Sequence, residues 1–231
     1  MHMQTHHDTL EALNFSLNNP ETLRAYKAHY DDYKPSLLPR LLGNTLVFFG
    51  NMVYGRAPTY LKFRAIEVIA RVPYHSWSSA SYTHLTMFFT NERRALRYSK
   101  SIRFADIAQA NETMHVVVIS HLAQAEARAG VLRHTLIPIL FSFFYFWSSY
   151  ILYFFHPKAS YELNYLFESH AFQQYDEFIR VYEDVLRSKP IESSFLTHYG
   201  RTHANQYEFF RAVRNDEIIH RNTSIEVIQK L

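Results

Sequence analysis

Two pairs of residues along the chain have the types and the spacing of metal ligands. Glu112 precedes His115 by three positions, and Glu217 precedes His220 by the same interval. Residues three apart share one face of an α-helix, so each pair can present a carboxylate oxygen and an imidazole nitrogen to one metal ion. The spacing alone is weakly specific, because a chain with 14 histidines produces such a pair by chance.

Two further acids, Glu67 and Glu168, lie in stretches that are otherwise apolar or aromatic. An unpaired carboxylate is costly to bury in such surroundings. One Glu from each of two helices, with one Glu-x-x-His from each of two others, is the ligand set of ferritin-like di-iron bundles. The residues alone leave two interpretations open: the acids bind metal together, or they are unrelated core and surface side chains.

The composition favours one largely helical domain. Of the 231 residues, 48% are hydrophobic and 16% aromatic, while five Gly and eight Pro are few for a turn-rich β fold. Cysteine is absent, which excludes disulfides, thiolate metal sites and thiol regulation. A net charge of +3 is too small to indicate nucleic acid as a partner.

Four long helices are predicted to carry the acids. The first spans Thr59–Met87, with a kink or boundary at Pro73, and the second, one helix or a helix pair, spans Asn91–Ala129. The third covers Lys158–Ser188, and the last begins near Tyr207 and continues to the C-terminus. Residues 1–57 are expected to form a partly disordered N-terminal arm, and residues 58–231 to form the bundle.

The segment Leu136–Phe155 contains no charged residue and is long enough to be a membrane helix. It is rich in Tyr, Trp and Ser, which favour the membrane interface or a packed core. We expect it to lie in one leaflet, helped by part of the Thr59–Met87 helix, with both termini on the same side. The alternative is a fully buried central helix of a soluble protein.

Four sequence blocks, in their order along the chain, resemble the signature helices of the alternative oxidase family. Their residues are most similar to those of its plastid terminal oxidase branch. They begin at Glu67 (Glu-Val-Ile-Ala-Arg-Val-Pro-Tyr), Asn111 (Asn-Glu-Thr-Met-His), Glu168 (Glu-Ser-His-Ala-Phe-Gln-Gln-Tyr-Asp) and Arg214 (Arg-Asn-Asp-Glu-Ile-Ile-His). The resemblance covers about three quarters of the chain, from Pro58 onward. It implies an all-α, ferritin-like di-iron four-helix bundle with additional membrane-associated helices. It also implies a quinol oxidase that reduces dioxygen to water without pumping protons.

The resemblance also implies roles for individual residues. The ligands of two iron ions would be Glu67, Glu112, His115, Glu168, Glu217 and His220. Tyr175 matches the essential tyrosine beside the iron centre, while Asn111 and Asp216 match residues that orient ligands by hydrogen bonding. The quinol pocket would be lined by Lys62, Ile66, Phe167 and Ala171. Lys62 departs from the family, which usually has Arg there, so a forked donor becomes a point charge.

Partners and location follow from the same resemblance: quinol, dioxygen, lipid of one leaflet and a second copy in a homodimer. Without a transit peptide, we expect the cytoplasmic face of a bacterial inner membrane, with the thylakoid as the alternative. Two other functions compete with the oxidase. One is a ferritin-like iron-binding or storage protein, and the other is a non-catalytic membrane-associated helical protein.

Overall fold

The computed structural model describes residues 2–126 and 128–231, apart from the side chains of residues 2–7, 88 and 101. Within these ranges the chain is helical and contains no strand. A π-helical turn, Leu132–Leu136, leads directly into α7. The α-helices are α1 (His2–Ser16), α2 (Pro20–Ala28), α3 (Leu37–Tyr54), α4 (Tyr60–Ala70), α5 (Val72–Phe88), α6 (Glu92–Glu126), α7 (Ile137–Phe155), α8 (Pro157–Val181), α9 (Glu183–Ser188), α10 (Ser194–His198) and α11 (Gln206–Ile228).

The bundle consists of four rods: α4 continued by α5, then α6, α8 and α11. Helix α8 packs along α11, while α6 packs against α4 and α5. An apolar core at one end of the bundle includes Phe63, Phe178 and Phe210, and a second core at the other end includes Trp77 and Tyr161. A polar cluster lies among the helices of this bundle, and it is the candidate site described below. The predicted all-α bundle is thus confirmed.

Local signals explain where the first rod begins and breaks. The Thr59 hydroxyl caps α4 by accepting a hydrogen bond from the backbone N–H of Lys62 at 3.2 Å. The rod is interrupted at Arg71, and Pro73 lies in the first turn of α5, where its missing N–H costs no helical hydrogen bond. Pro73 therefore marks a helix boundary, as the sequence predicts.

The N-terminal segment, residues 1–57, contains helices α1, α2 and α3. Helix α1 packs on α11 and α3 packs on α8. Leu17, which directly follows α1, is fully buried against Phe172 and Ile218 of the bundle. Burial of this apolar side chain holds α1 to the bundle, and no motif in the sequence indicates its partner. The domain boundary at residues 57 and 58 stays a prediction.

Helix α7 is attached to the bundle by one narrow face. Its buried residues are Pro138, Tyr145, Ser149 and Tyr153, and large apolar side chains such as Phe144 and Trp147 are exposed. The helical stretch Leu132–Phe155 is long and apolar enough to cross a membrane, and only 17% of its most apolar window is buried. The alternative of a fully buried central helix is therefore wrong for this chain.

Candidate metal centre

All six predicted ligands meet in one buried cluster. Helix α4 supplies Glu67 and α8 supplies Glu168, each from a face turned toward the bundle interior. Helices α6 and α11 each supply one Glu-x-x-His pair. None of the six residues is more than 4% exposed. The helical spacing therefore places the acids and imidazoles as the sequence predicts, while their role as ligands stays a prediction.

The cluster divides into two overlapping groups of four. In each group, one potential ligand atom from every residue lies within 4.8 Å of the others. Glu112 and Glu217 belong to both groups. The first group is completed by Glu67 and His115, and the second by Glu168 and His220. This arrangement suits two metal ions that share two carboxylates and have one further carboxylate and one imidazole each.

Several buried atoms of the cluster have no hydrogen-bond partner among the described residues. A buried polar atom without a partner is unfavourable and rare in native proteins. Here such atoms converge on two small volumes, and each is a good ligand for a hard or borderline metal ion. They are Glu67 Oε2, both carboxylate oxygens of Glu112, His115 Nδ1, Glu217 Oε1 and His220 Nδ1.

The pKa values of the clustered carboxyl groups also favour a site for cations. Burial, together with the neighbouring Glu112 carboxylate, raises the pKa of Glu67 above its usual range, and the pKa of Glu217 is raised for the same reasons. Burial also opposes the ionisation of Glu112, but His115 and His220 outweigh it and lower the pKa of that carboxyl. Four ionised carboxylates carry the charge that balances two divalent ions. The donor set therefore fits a two-metal centre.

Two tyrosines donate hydrogen bonds to the cluster from opposite sides. The Tyr175 hydroxyl donates to Oε1 of Glu67, and the Tyr74 hydroxyl donates to Oε1 of Glu168 at 2.5 Å. Both rings are fully buried, and burial together with the nearby carboxylates raises the pKa of both phenols. Both hydroxyls therefore keep their protons. The sequence singled out Tyr175 and missed Tyr74, although Tyr74 ends the first signature block.

Asp216 contacts His115, one of the predicted ligands, on the ring nitrogen that faces away from the cluster. His115 Nε2 lies 3.1 Å from Oδ2 of Asp216, so Asp216 makes the contact that the resemblance implies. Arg201 donates to both oxygens of Asp216, and Asn14 donates to Oδ1. The sequence missed Arg201 and Asn14, which lie in a polar connection and in the N-terminal segment. Asn111 is half-buried, and the described residues give it no hydrogen bond to the cluster.

A cavity of about 180 Å³ lies beside the cluster. All four residues predicted to contact quinol line it: Lys62, Ile66, Phe167 and Ala171. Glu67, Glu168 and Tyr175 form its wall toward the metal cluster. The other walls come mainly from apolar side chains of α3 and α7, which include Val47, Phe49, Ile137 and Phe141. The cavity therefore reaches from the cluster to the two helices with the most apolar exposed surfaces.

Lys62 is the basic residue in the lining of this cavity. It is 2% exposed, and its ammonium group donates to Oδ1 of Asn51, to the Arg56 carbonyl and to Oε1 of Gln174. All three acceptors are neutral, and the Gln174 bond is the shortest at 2.7 Å. These three acceptors use all three N–H donors of the ammonium group, and none of them neutralises its positive charge.

Comparisons with known proteins agree with the geometry. A family model described as "Alternative oxidase" matches residues 44–228. The chain is 28% identical over 176 residues to "Ubiquinol oxidase 4, chloroplastic/chromoplastic" of Arabidopsis thaliana. That alignment covers 76% of this chain and 46% of the relative, so the chain spans about half the length of the curated relative it matches. No solved structure gives a significant match.

Proposed function

This chain belongs to the alternative oxidase family, and on that premise we propose that it is a membrane-bound di-iron quinol oxidase. Two quinols give up four electrons and four protons, one dioxygen takes them up, and two quinones and two waters result. No proton is pumped. One observation carries the proposal: a buried cluster of four Glu and two His lies beside an apolar cavity and contributes Glu67 and Glu168 to its wall.

Glu67 and His115 would hold one iron ion, and Glu168 and His220 the other. Glu112 and Glu217 would bridge the pair, because they belong to both groups of potential ligands. The ions would supply the reversible one-electron steps that dioxygen reduction needs and that side chains without a cofactor do not provide. The chain itself supplies the charge balance, the burial that excludes water and the donors that fix each ligand.

The cavity would bind the quinol head group. Its apolar walls match the ring, and a ring oxygen would accept a hydrogen bond from the Lys62 ammonium in place of one of its three neutral acceptors. The Tyr175 hydroxyl lies where the cavity meets Glu67, so it holds a proton at the boundary between quinol and metal ligands. We propose that this hydroxyl takes part in oxygen reduction.

The outer surfaces of α3 and α7 would sit in one leaflet of a membrane. Helix α7 exposes Phe143, Phe144 and Trp147, and α3 exposes Leu41 and Phe48. An interfacial helix buries such a face among lipid chains while its other face stays on the protein. A lipid-soluble quinol could then enter the cavity without crossing water. This proposal adds α3 to the expected membrane surface, where the sequence had favoured α7 with part of Thr59–Met87.

Basic residues give this placement further support. The N-terminal part of α6 exposes Arg93, Arg97, Lys100 and Arg103. Anionic headgroups near such a stripe contribute about 1 kcal/mol per basic residue. The name of the Arabidopsis relative places that protein in chloroplasts or chromoplasts. We therefore favour a thylakoid-type membrane over a bacterial inner membrane for this chain, and we keep a homodimer as part of the proposal.

Metal analysis and quinol oxidation by the purified chain in detergent test this function against its two competitors. The oxidase should contain about two irons per chain and consume oxygen only when quinol is supplied. A ferritin-like protein would bind iron without oxidising quinol, and a non-catalytic protein would do neither. The apolar cavity beside the cluster argues against both, since neither has a use for it.

A further inference from the structure

We propose that helix α1 positions a ligand of the metal centre. In this proposal, Asn14 and the Glu11–Arg201 pair hold Asp216, and Asp216 holds His115 in its ligating orientation. Helix α1 lies outside residues 44–228, which the family model matches. The inference rests on the proposed metal centre and adds to it positioning residues from the N-terminal segment.

Hydrogen bonds to Asp216 are the first evidence. Its Oδ2 faces His115 Nε2 at 3.1 Å and accepts from Nη1 of Arg201 at 2.5 Å. Its Oδ1 accepts from Nη2 of Arg201 at 3.0 Å and from Nδ2 of Asn14 at 2.5 Å. The carboxylate is thus held at both oxygens, and one of the donors comes from a residue 202 positions away.

The orientation of His115 is the consequence. An ionised carboxylate can only accept hydrogen bonds, so Nε2 of His115, the ring nitrogen that faces Asp216, must carry a proton. The other ring nitrogen, Nδ1, then carries the lone pair, and it lies 3.5–3.6 Å from carboxylate oxygens of Glu67, Glu112 and Glu217. A metal-binding histidine is commonly fixed in this way by a carboxylate on its other nitrogen.

Helix α1 is pinned so that Asn14 keeps its place. The Asn14 side chain also donates to the Ala212 carbonyl at 2.8 Å, and its own carbonyl accepts from Asn215 at 2.9 Å. Glu11, one helical turn earlier, accepts from the outer edge of the Arg201 guanidinium at 2.7–3.1 Å. One face of α1 therefore contributes both a direct donor to Asp216 and the counter-charge of Arg201.

Iron release from the full-length chain tests the proposal without relying on turnover. Asn14→Ala removes one of the two donors to Asp216 Oδ1, and Glu11→Gln removes one of the two acids paired with Arg201. Losing a direct partner of a metal-binding histidine lowers metal affinity by about 10–100-fold, and Asn14 acts one contact further out, so its effect should lie at the lower end. We expect Asn14→Ala to release iron to a ferrous chelator about tenfold faster than wild type, and Glu11→Gln to release it faster by a smaller factor. The visible spectrum of the Co(II)-loaded protein should also change in Asn14→Ala.

Leu186→Ala is the matched control. Leu186 is fully buried on α9 in the apolar core that includes Phe63 and Phe178, and neither Asp216 nor Arg201 belongs to that core. It should lower the melting temperature while leaving the release rate and the Co(II) spectrum as in wild type. Release from Asn14→Ala within twofold of wild type, or equally fast release from Leu186→Ala, would overturn the role of α1. A wild-type chain that binds no iron would overturn the metal centre itself, and the role of α1 with it.

Discussion

Removing the Tyr175 hydroxyl separates its structural role from its part in the reaction. In Tyr175→Phe the ring keeps its stacking on Phe63, whose centroid is 4.2 Å away, and Glu67 Oε1 loses its donor. A buried acceptor left without a donor costs about 1–3 kcal/mol. For a chain of this size, each kcal/mol lowers the melting temperature by about 2–4 °C. The expected loss of stability is therefore roughly 2–12 °C, with the helical fold kept.

Tyr74→Phe provides the matched control. Tyr74 is as deeply buried as Tyr175 and donates to Glu168 as Tyr175 donates to Glu67, but it does not line the cavity. Both variants should therefore lose similar stability. Only Tyr175→Phe should lose turnover, by about 10²–10⁴-fold, the usual contribution of a positioned proton donor. At 1.36 kcal/mol per decade, that loss corresponds to about 3–5 kcal/mol in the activation barrier.

Thermal melting, iron content and quinol-dependent oxygen uptake would be measured on wild type and both variants. The reasoning fails if Tyr175→Phe turns over within threefold of wild type at normal iron content. It also fails if Tyr74→Phe loses turnover to the same extent, because the hydroxyls would then matter only as supports for their carboxylates. Iron loss in Tyr175→Phe alone would reassign its hydroxyl to metal retention.

Three further predictions concern the ligands, the cavity and the membrane surface. Glu112→Ala or Glu217→Ala should lose iron and quinol oxidation while circular dichroism stays helical; retention of iron with full turnover would show that the residue is not a ligand. Lys62→Met should raise the KM for quinol by about tenfold, as expected for one charge-assisted hydrogen bond, with unchanged iron content, and an unchanged KM would exclude contact with the substrate. The double variant Leu140→Glu with Phe144→Glu on α7 should move the chain from membranes to the soluble fraction. The control pair Val181→Glu with Val185→Glu, on α8 and α9, should leave the chain on membranes. The same distribution for both double variants would refute the assignment of α7 to the leaflet.

The ligand cluster could be predicted from the sequence because helical spacing is a local signal. Glu112 and His115 are three residues apart, so any α-helix places them on one face. The acids Glu67 and Glu168 stood out because their neighbours are apolar, and burial among those neighbours is what the structure shows. When the four helices bury their apolar faces against each other, polar side chains on those same faces are buried with them and come together inside the bundle.

The supports of the cluster could not be predicted in the same way. Asn14 and Arg201 meet Asp216 only through tertiary packing, and neither belongs to a motif around its own position. Helix α3 contains two Gly and a Pro, which lower its helix propensity, yet Gly43 allows its backbone to approach Leu166 of α8 closely. The exposure of α7 was also undecided, because a 20-residue apolar run suits a core and a membrane surface alike.

Oxygen uptake by membranes that contain the chain, measured with added quinol and with cyanide to block haem oxidases, tests the central claim most directly. We expect cyanide-insensitive uptake with two quinols oxidised per dioxygen, and none in matched membranes that contain Glu217→Ala. The result that would contradict the claim is uptake no higher than in control membranes when the wild-type chain is present, membrane-bound and loaded with iron.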